Sequence, residues 1–419
     1  MTTTQAIVPD QPCQLCGAKQ ANVLSTRSRS GAFLRTVICK VCGLVWSDPK
    51  PHDPRNFYST DYRLEYKKTF EPKSKHILRA GRIAIERFWQ IREHLPRTRI
   101  ILDVGSGGGE FCYLLKKAGL DITGVEPNVG YANFSRREYG LNVINGFIND
   151  INLPRQGFDL ITIWHVLEHT ENPGAILSQL QTALADDGTL VVEVPNVEAI
   201  CQSPGNTFHE AHLYSFNLNT LNALAHKAGL VAFSTRISKD GGNLQVHYRK
   251  ADPLLTKPAL VSSLTGNEGQ ISQRVHRHRI ISHLCSRHPY LRFFRRLGQM
   301  IDEFLETRLA PKLSGRDRLD RLYAPFMQLI GTEAKPPKAL LPLVMGSYLL
   351  ALLLEWLLLD HFLPMQGWGQ YEAFAAYVLL QHLVITAVVT RTQSVPRTLP
   401  QYFKHSFWTI PLFLLPIYC

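Results

Sequence analysis

The sequence has few cysteines, no apolar segment at its start and no internal repeat. Eight cysteines in 419 residues are too few for a disulfide scaffold. Residues 1–10 are polar and no apolar run follows them, so we expect no secretory signal peptide. No repeat of about 20 to 50 residues is evident, which a solenoid or propeller would show. A chain of this length is expected to form two or three units rather than a single core.

A glycine cluster that follows a short apolar run is the most informative stretch. Three glycines stand in alternate positions after residues 99–104: Gly105, Gly107 and Gly109. The apolar pattern predicts a strand before them and a helix over residues 111–118 after them. Glycine lets the backbone approach a ligand closely, and the start of a helix offers free N–H groups. The pattern therefore predicts a ligand site at the turn.

A carboxylate further along the chain indicates what this ligand contains. Glu126 lies 21 residues after Gly105, at the end of a second apolar run, where a carboxylate can accept both hydroxyls of a ribose. The glycine spacing is G-x-G-x-G, whereas the dinucleotide fingerprint G-x-G-x-x-G would need glycine at Glu110. Asp103, just before the glycines, also suits a cationic ligand better than a pyrophosphate. We therefore expect a nucleoside-containing cofactor.

These residues resemble motif I of the class I S-adenosylmethionine (SAM)-dependent methyltransferases. The resemblance continues, in the order of that family, through Glu126-Pro127, Phe158–Ile161, Val166–His169, Asn172-Pro173, Gly188–Asn196 and His212–Phe216. It implies a Rossmann-like, doubly wound α/β domain with a mostly parallel sheet and the cofactor at the carboxyl ends of the strands. The alternative is a tight turn in some other α/β protein.

The resemblance also assigns the cofactor contacts. The glycine loop and the acid before it would line the methionine half of SAM, Glu126 would hold the ribose, and the loop of Asn149 and Asp150 would lie by the adenine. The expected cofactor-binding residues are Asp103, Gly105, Ser106, Gly107, Gly109, Glu126, Pro127, Asn149, Asp150 and His165.

Four of the cysteines form two C-x-x-C pairs, each followed by glycine: Cys13, Cys16, Cys39 and Cys42. Thiolates at this spacing can converge on one tetrahedral zinc ion, and four sulfur ligands leave no open position for catalysis. A disulfide pair is the alternative, which would need an oxidising compartment. We expect a structural, zinc-ribbon-like module over residues 1–52. A similar module precedes the methyltransferase domain in sugar C-methyltransferases.

The order of the elements predicts the remaining units. Strands and helices alternate over residues 53–250, which predicts a parallel sheet clad by helices. Residues 231–237 and 244–248 are predicted to form two last strands with a turn at Gly241-Gly242, and the resemblance implies that these strands pair antiparallel. Residues 251–338 contain 15 Lys and Arg against 8 Asp and Glu. Such basic helical stretches lie on anionic membrane surfaces, bind nucleic acid, or present a solvated face packed on the catalytic domain.

Long apolar segments towards the end of the sequence predict a membrane anchor. Residues 339–359 and 373–390 are long enough to cross a bilayer, and residues 407–419 form a shorter apolar segment. A buried helical hairpin is the alternative for the last two. Lys and Arg flank this pair of segments but are absent from residues 360–371 between them. Because positive residues stay inside, the enzyme domain is expected to face the cytoplasm, with residues 251–338 on the inner leaflet.

Three residues are candidates for the general base that a hydroxyl or acidic-carbon acceptor would need. His165 ends the fourth strand, and His212 and Tyr214 lie in the connection after the fifth strand, which in the resembled family forms part of the acceptor pocket. Residues 165–169 also spell the H-x-x-E-H of zinc proteases, but that motif requires a helix. In ubiquinone-type O-methyltransferases an additional acid, linked to a metal, takes the place of His165, so we expect no metal there.

The sequence therefore predicts a membrane-anchored, SAM-dependent methyltransferase that acts on a glycan, glycolipid or lipid-linked acceptor. One alternative is a small-molecule, quinone-like O-methyltransferase, and another is a membrane protein that binds SAM without catalysis. Nucleic-acid methylation is not expected, because no N/D-P-P-Y/F motif follows the fourth strand, where Trp164–Leu167 stands instead.

Overall fold

The computed structural model describes residues 5–50, 71–95, 98–252, 264–309 and 313–327. The chain divides into two units, residues 1–338 and 339–419, and all of the described residues lie in the first. The strands among them are β1 (Ala6–Ile7), β2 (Ala21–Arg27), β3 (Phe33–Cys39), β4 (Val45–Ser47), β5 (Ile100–Val104), β6 (Asp121–Glu126), β7 (Asn142–Asn145), β8 (Phe158–Trp164), β9 (Leu184–Pro195), β10 (Tyr214–Ser215), β11 (Leu230–Ile237) and β12 (Asn243–Lys250).

The described helices surround these strands or follow them. They are α1 (Ser74–Ile91), α2 (Glu110–Lys117), α3 (Val129–Tyr139), α4 (Pro173–Ala183), α5 (Leu218–Lys227), α6 (Asn267–Arg277), α7 (Ile280–Leu284), α8 (His288–Leu309) and α9 (Gly315–Met327). Asparagine side chains accept hydrogen bonds from the first turns of α3, α4 and α5, which satisfies backbone donors that a helix start leaves open. These caps are Asn128, Asn172 and Asn217.

A seven-stranded sheet forms the centre, in the order β11-β12-β9-β8-β5-β6-β7. Strands β5 to β9 are parallel, while β12 pairs antiparallel with both β9 and β11. The strands β5 and β8 are mostly apolar and almost fully buried, as expected for parallel strands covered on both faces. The chain winds outward in opposite directions from β5 and β8, so their carboxyl ends enclose the crevice in which such sheets bind ligands. The predicted α/β architecture is confirmed.

The N-terminal strands belong to a second sheet that also takes a strand from the central domain. Its order is β1-β2-β3-β4-β10, and Tyr214 in β10 pairs antiparallel with Trp46 in β4. The Ser47 N–H also donates to the Leu213 carbonyl at 3.0 Å. The predicted module at residues 1–52 therefore shares a sheet with the connection that follows β9, which the sequence does not reveal.

The described part of residues 251–338 is helical, as expected, and at least three of its helices pack on the rest of the unit. Ile271 of α6 is buried against the N-terminal sheet. Tyr323 of α9 is buried against α1 and α2, and its hydroxyl donates to the Glu110 carbonyl at 2.9 Å. Glu303 of α8 accepts two hydrogen bonds from Arg79 of α1, both at 2.9 Å. Elsewhere α7 and α8 carry exposed apolar side chains, including Ile281 and Phe293. A face packed on the catalytic domain is one of the expected alternatives, and contact of the exposed side chains with a membrane or with nucleic acid stays a prediction.

The expected membrane segments at 339–359, 373–390 and 407–419 lie outside the described residues. Within the part of the chain that the structure describes, no helix combines the length and the apolar character that crossing a membrane requires.

Candidate cofactor and acceptor site

The glycine loop lies between the carboxyl end of β5 and the start of α2. The N–H groups of Gly105 and Ser106 both donate to the Val125 carbonyl, at 2.7 and 2.9 Å, which ties the loop to β6. Gly105 has φ +76°, and a Cβ there would lie 2.3 Å from Val166 Cγ2. The loop thus needs glycine at this position for both its backbone conformation and its close approach to the segment after β8.

Glu126 ends β6 beside this loop, and its carboxylate is held by backbone donors. Gly107 donates to Oε2 at 2.8 Å and Asn128 donates to Oε1 at 3.1 Å. The side chain is 4% exposed. Each carboxylate oxygen can accept a further hydrogen bond, so Glu126 is oriented and still able to accept the two hydroxyls of a ribose.

Three other residues expected to bind the cofactor, Ser106, Gly109 and Pro127, help to hold the loop and the strands beside it in place. The Ser106 side chain is buried against Gly124, where a Cβ would lie 2.7 Å from its Oγ. Gly109 begins α2 with φ +88° and leaves no room for a Cβ beside Leu141. The Pro127 carbonyl accepts from Asn145 Nδ2 at 3.1 Å, which joins the ends of β6 and β7.

Asn149 and Asp150 lie in a single turn after β7, and both side chains are exposed. Gln179 Nε2 donates to the carbonyls of Ile148 and Ile151 at 2.9 and 2.8 Å, which holds this turn against α4. The turn is at the same edge of the sheet as Glu126, as the resemblance requires, and a role for either residue beside the adenine stays a prediction.

Asp103 is 2% exposed and lies inside the domain. Its Oδ1 accepts from Thr162 Oγ1 at 2.7 Å, and its Oδ2 lies 3.5 Å from Cys112 Sγ. Burial raises the pKa of Asp103 to about 6, although the Thr162 hydrogen bond opposes this shift. Both oxygens thus have protein partners, so Asp103 supports the loop from beneath, and its expected contact with the cofactor stays a prediction.

His165 follows β8 and lies between two carboxylates. Its Nδ1 is 3.3 Å from Glu168 Oε1, and its Nε2 is 3.1 Å from Glu193 Oε1. Burial alone would lower the pKa of His165, but the hydrogen bonds to the two glutamates outweigh it and raise the pKa to about 9. A histidine that is protonated at neutral pH has no lone pair to accept a proton. The geometry therefore argues against the base role expected for His165.

The His165 pKa predicts a pH-dependent contribution to stability. Its folded pKa of about 9 lies above the ordinary value of 6.5, so the contribution is full below about pH 6.5 and is lost as the pH rises through 9. The substitution His165→Gln should therefore lower the free energy of unfolding more at pH 6 than at pH 9.5. Urea unfolding of both proteins at the two pH values checks this, and an equal difference at both would contradict the pairing.

His212 and Tyr214 have different surroundings. The His212 ring is 4.8 Å from the His169 ring and 5.1 Å from the His209 ring. Burial holds the pKa of His212 well below its usual value, so this imidazole is neutral at neutral pH. The Tyr214 hydroxyl lies 3.4 Å from the Glu171 carbonyl in the contact with the N-terminal sheet, where burial raises its pKa. The structure thus favours His212 over Tyr214 as the base.

Glu168 and His169 join His212 in one compact cluster. A carboxylate oxygen of Glu168 and a ring nitrogen of each histidine all lie within 4.8 Å of one another. His169 Nδ1 lies 2.7 Å from the Ala211 carbonyl, which directs its Nε2 towards Glu168. The Glu-His pair after β8 and the connection after β9 therefore meet at the carboxyl edge of the sheet, although about 40 residues separate them in the sequence.

Arg87 is a site residue that the sequence analysis missed. Its guanidinium lies 4.7 Å from the centroid of the Trp164 ring, at the carboxyl end of β8. Burial lowers the pKa of Arg87, but the carboxylates of Glu193 and Asp103 favour the charged form, and arginine remains a cation in proteins. The sequence signal that could have identified Arg87 is its position in α1, between the buried residues Ala84 and Phe88.

The four cysteines of the N-terminal module converge. Their sulfur atoms all lie within 4.8 Å of one another, and the pairs Cys13–Cys42 and Cys16–Cys39 are 3.5 Å apart. Zn–S bonds of about 2.3 Å in a tetrahedron would place the sulfurs about 3.8 Å apart, whereas a disulfide needs about 2 Å. The cluster thus fits a tetrahedral metal ion and not a pair of disulfides.

The parallel sheet, the glycine loop and Glu126 together form an α/β domain with a buried carboxylate beside a glycine turn. Residues 76–235 match the family model described as a methyltransferase domain. This match covers less than half of the chain, and it includes the glycine loop and Glu126.

Curated relatives match a smaller part of the chain. The ubiquinone biosynthesis O-methyltransferase of Actinobacillus pleuropneumoniae serotype 7 is 31% identical over 106 residues, which cover 23% of this chain and 45% of that protein. The mitochondrial ubiquinone biosynthesis O-methyltransferase of Schizosaccharomyces pombe is 30% identical over 99 residues, which cover 22% of this chain and 36% of that protein. The chain thus spans less than half the length of these relatives.

A solved structure is similar over a longer stretch. The 1,6-didemethyltoxoflavin-N1-methyltransferase of Burkholderia thailandensis, crystallised with S-adenosylhomocysteine, is 18% identical and aligns with a TM-score of 0.38. The alignment covers 52% of this chain and 96% of that protein.

Proposed function

We propose that this chain is a SAM-dependent methyltransferase that acts at the cytoplasmic face of a membrane on a glycan, glycolipid or lipid-linked acceptor. The observation that carries the cofactor assignment is Glu126, a buried carboxylate held beside the glycine loop by Gly107 and Asn128. The methyltransferase-domain match over residues 76–235 supports the reaction type.

The described residues suit the parts of SAM. Glu126 would accept the ribose hydroxyls, and the Arg87 guanidinium would pair with the methionine carboxylate. The bound sulfonium supplies an electrophilic methyl group. Transfer is an in-line displacement, so positioning of the acceptor contributes most of the acceleration. For a hydroxyl acceptor, His212 is the neutral base that would take the proton.

The N-terminal module would hold a structural zinc ion. Four thiolates complete a tetrahedral site, so the residues present leave no position for a substrate. Because β4 of this module pairs with β10, the ion would stabilise the connection that carries His212.

The membrane location is supported by α7 and α8. Their exposed apolar side chains are between 52% and 78% accessible: Ile280, Ile281, Leu284, Tyr290, Leu291, Phe293, Met300 and Phe304. Exposed arginines, including Arg279 and Arg287, alternate with them. Apolar and basic side chains mixed in this way bind anionic lipid surfaces. The apolar segment at residues 339–359 follows in the sequence and would anchor the chain.

A second candidate function is O-methylation of a quinone-like ring. It is favoured by the two curated relatives above, both of which carry the name ubiquinone biosynthesis O-methyltransferase.

Transfer of a labelled methyl group distinguishes these functions. The full chain is incubated with SAM labelled in the methyl group and with membranes from cells that lack the protein, and the lipid extract is separated into quinone and glycolipid fractions. We expect label in the glycolipid fraction. Label in the quinone fraction would support the second candidate, and SAM binding without any transfer would contradict the enzymatic proposal.

A further inference from the structure

A cavity of about 770 Å³ lies at the carboxyl end of β9. Its walls are residues 196–200 after β9, residues 239–241 in the turn between β11 and β12, and side chains from α6 to the start of α8. In the sheet order, β9 is two strands from β5. The register places Val192 of β9 level with Val104, the end of β5, and β9 continues for three more residues. With about 4.8 Å between neighbouring strands and about 3.3 Å per residue, the ends of these two strands are about 14 Å apart. The cavity is therefore within reach of an acceptor whose reacting atom lies at the glycine loop.

The cavity wall is polar. Amide and hydroxyl side chains supply hydrogen-bond donors and acceptors from several elements: Asn196, Gln270, Gln273, Ser282 and Ser286. Ala199 and Ile200 are the apolar side chains among the lining residues, and the described lining contains no Phe, Tyr or Trp. A flat, apolar ring would find few partners here, whereas a ligand rich in hydroxyl groups would find many.

Three cations of this wall are available to a ligand. Lys239, Arg274 and Arg277 are exposed, and the Arg274 Nε donates to the backbone carbonyl of Glu198 at 3.2 Å. Within the described ranges, no carboxylate forms an ion pair with any of the three. The planar guanidinium group of arginine can donate two parallel hydrogen bonds to the oxygens of a phosphate group.

The two acids of the wall are already engaged by neighbouring groups. Glu198 Oε1 accepts from Gln270 Nε2 at 2.8 Å. Asp240 Oδ1 accepts from Ser238 Oγ at 2.7 Å and from the Gly242 N–H at 3.1 Å. Burial alone would raise the pKa of Asp240, but these hydrogen bonds lower it overall. The acids are therefore committed to the turn and to α6, while the cations face an open cavity.

We infer that this cavity is the acceptor pocket and that it binds a hydroxyl-rich acceptor through a phosphate group. The inference rests on the proposed function, because the cavity becomes an acceptor pocket only if SAM occupies the glycine loop. Arg274 and Arg277 bind the phosphate, and the amide and hydroxyl side chains bind the hydroxyl groups. Most of this wall comes from α6 to α8, beyond the segment 76–235 that matches the methyltransferase domain.

Calorimetric titration with inorganic pyrophosphate tests the inference on the full chain in detergent. The double variant Arg274→Ala/Arg277→Ala should bind pyrophosphate at least roughly tenfold more weakly, since it removes both guanidinium groups that would donate hydrogen bonds to the phosphate oxygens. The matched control Arg155→Ala/Arg249→Ala removes the same charge from two exposed positions elsewhere and should bind like the wild type. Lys239→Ala, in the hairpin turn, should weaken binding without altering either helix.

S-adenosylhomocysteine is titrated into the same samples, so the two claims can fail separately. Normal binding of S-adenosylhomocysteine together with equal pyrophosphate affinity in wild type, double variant and Lys239→Ala would overturn the acceptor pocket. Failure of the wild type to bind S-adenosylhomocysteine would overturn the proposed function instead.

Two further probes distinguish the sources of the phosphate. Glucose 1-phosphate represents a soluble glycosyl phosphate, and vesicles containing a polyprenyl phosphate represent a lipid-linked one. Displacement of pyrophosphate by either probe supports the pocket and identifies its source, and displacement by neither would contradict it.

Discussion

Glu126→Gln should weaken the binding of S-adenosylhomocysteine about 100-fold. The substitution removes the negative charge that would accept the ribose hydroxyls, and it places an amide group against the Gly107 and Asn128 N–H donors. Two hydrogen bonds to a charged group contribute about 1.5–3 kcal/mol each, and a loss of about 3 kcal/mol corresponds to roughly 100-fold in affinity. Calorimetric titration of the purified variant measures this change.

The matched control for this variant is Asp121→Asn. Asp121 is exposed and begins the strand that Glu126 ends. Its replacement by asparagine therefore removes the same charge at the opposite edge of the sheet. We expect affinity within about twofold of wild type for the control, by the small effect of exposed charges. Equal affinities for the two variants would show that Glu126 does not hold the ribose.

Cys39→Ser should remove the metal and destabilise the N-terminal sheet. The thiolate of Cys39 lies 3.5 Å from that of Cys16 and ends β3, so its loss opens the tetrahedral set. Structural zinc sites contribute about 10–16 kcal/mol to the folding of zinc-finger peptides. We expect the zinc content, measured by mass spectrometry, to fall from one ion per chain to near zero, with a large fall in the thermal midpoint.

Cys285→Ser is the control, because Cys285 is exposed and lies outside the cluster. It should retain one zinc ion and the wild-type thermal midpoint. Full zinc content in Cys39→Ser, or an absence of zinc in the wild type, would contradict the metal site.

The central sheet and its ligand loop could be predicted because their signals are local. The strand, glycine turn and helix around Gly105 occupy consecutive residues, and Glu126 ends the next apolar run. The strands β11 and β12 and their turn at Gly241 were predicted from local patterns, and their antiparallel pairing from the family resemblance; the structure confirms both. In each case the residues that form the element, or that line the loop, are close together in the sequence.

The rest of the site depends on contacts between distant segments. Tyr214 pairs with Trp46, and His212 meets Glu168 and His169, but no local pattern links these positions. The position of His165 between two carboxylates likewise could not be predicted, because Glu193 approaches it from another strand. Arg87 was missed because no local motif marks it, and its position becomes meaningful only beside Trp164.

Calorimetric titration of the wild-type full chain with S-adenosylhomocysteine and, separately, with NAD tests the central claim most directly. The glycine spacing and the position of Glu126 predict one S-adenosylhomocysteine bound per chain and no heat from NAD. Binding of NAD, or no heat from S-adenosylhomocysteine, would contradict the account.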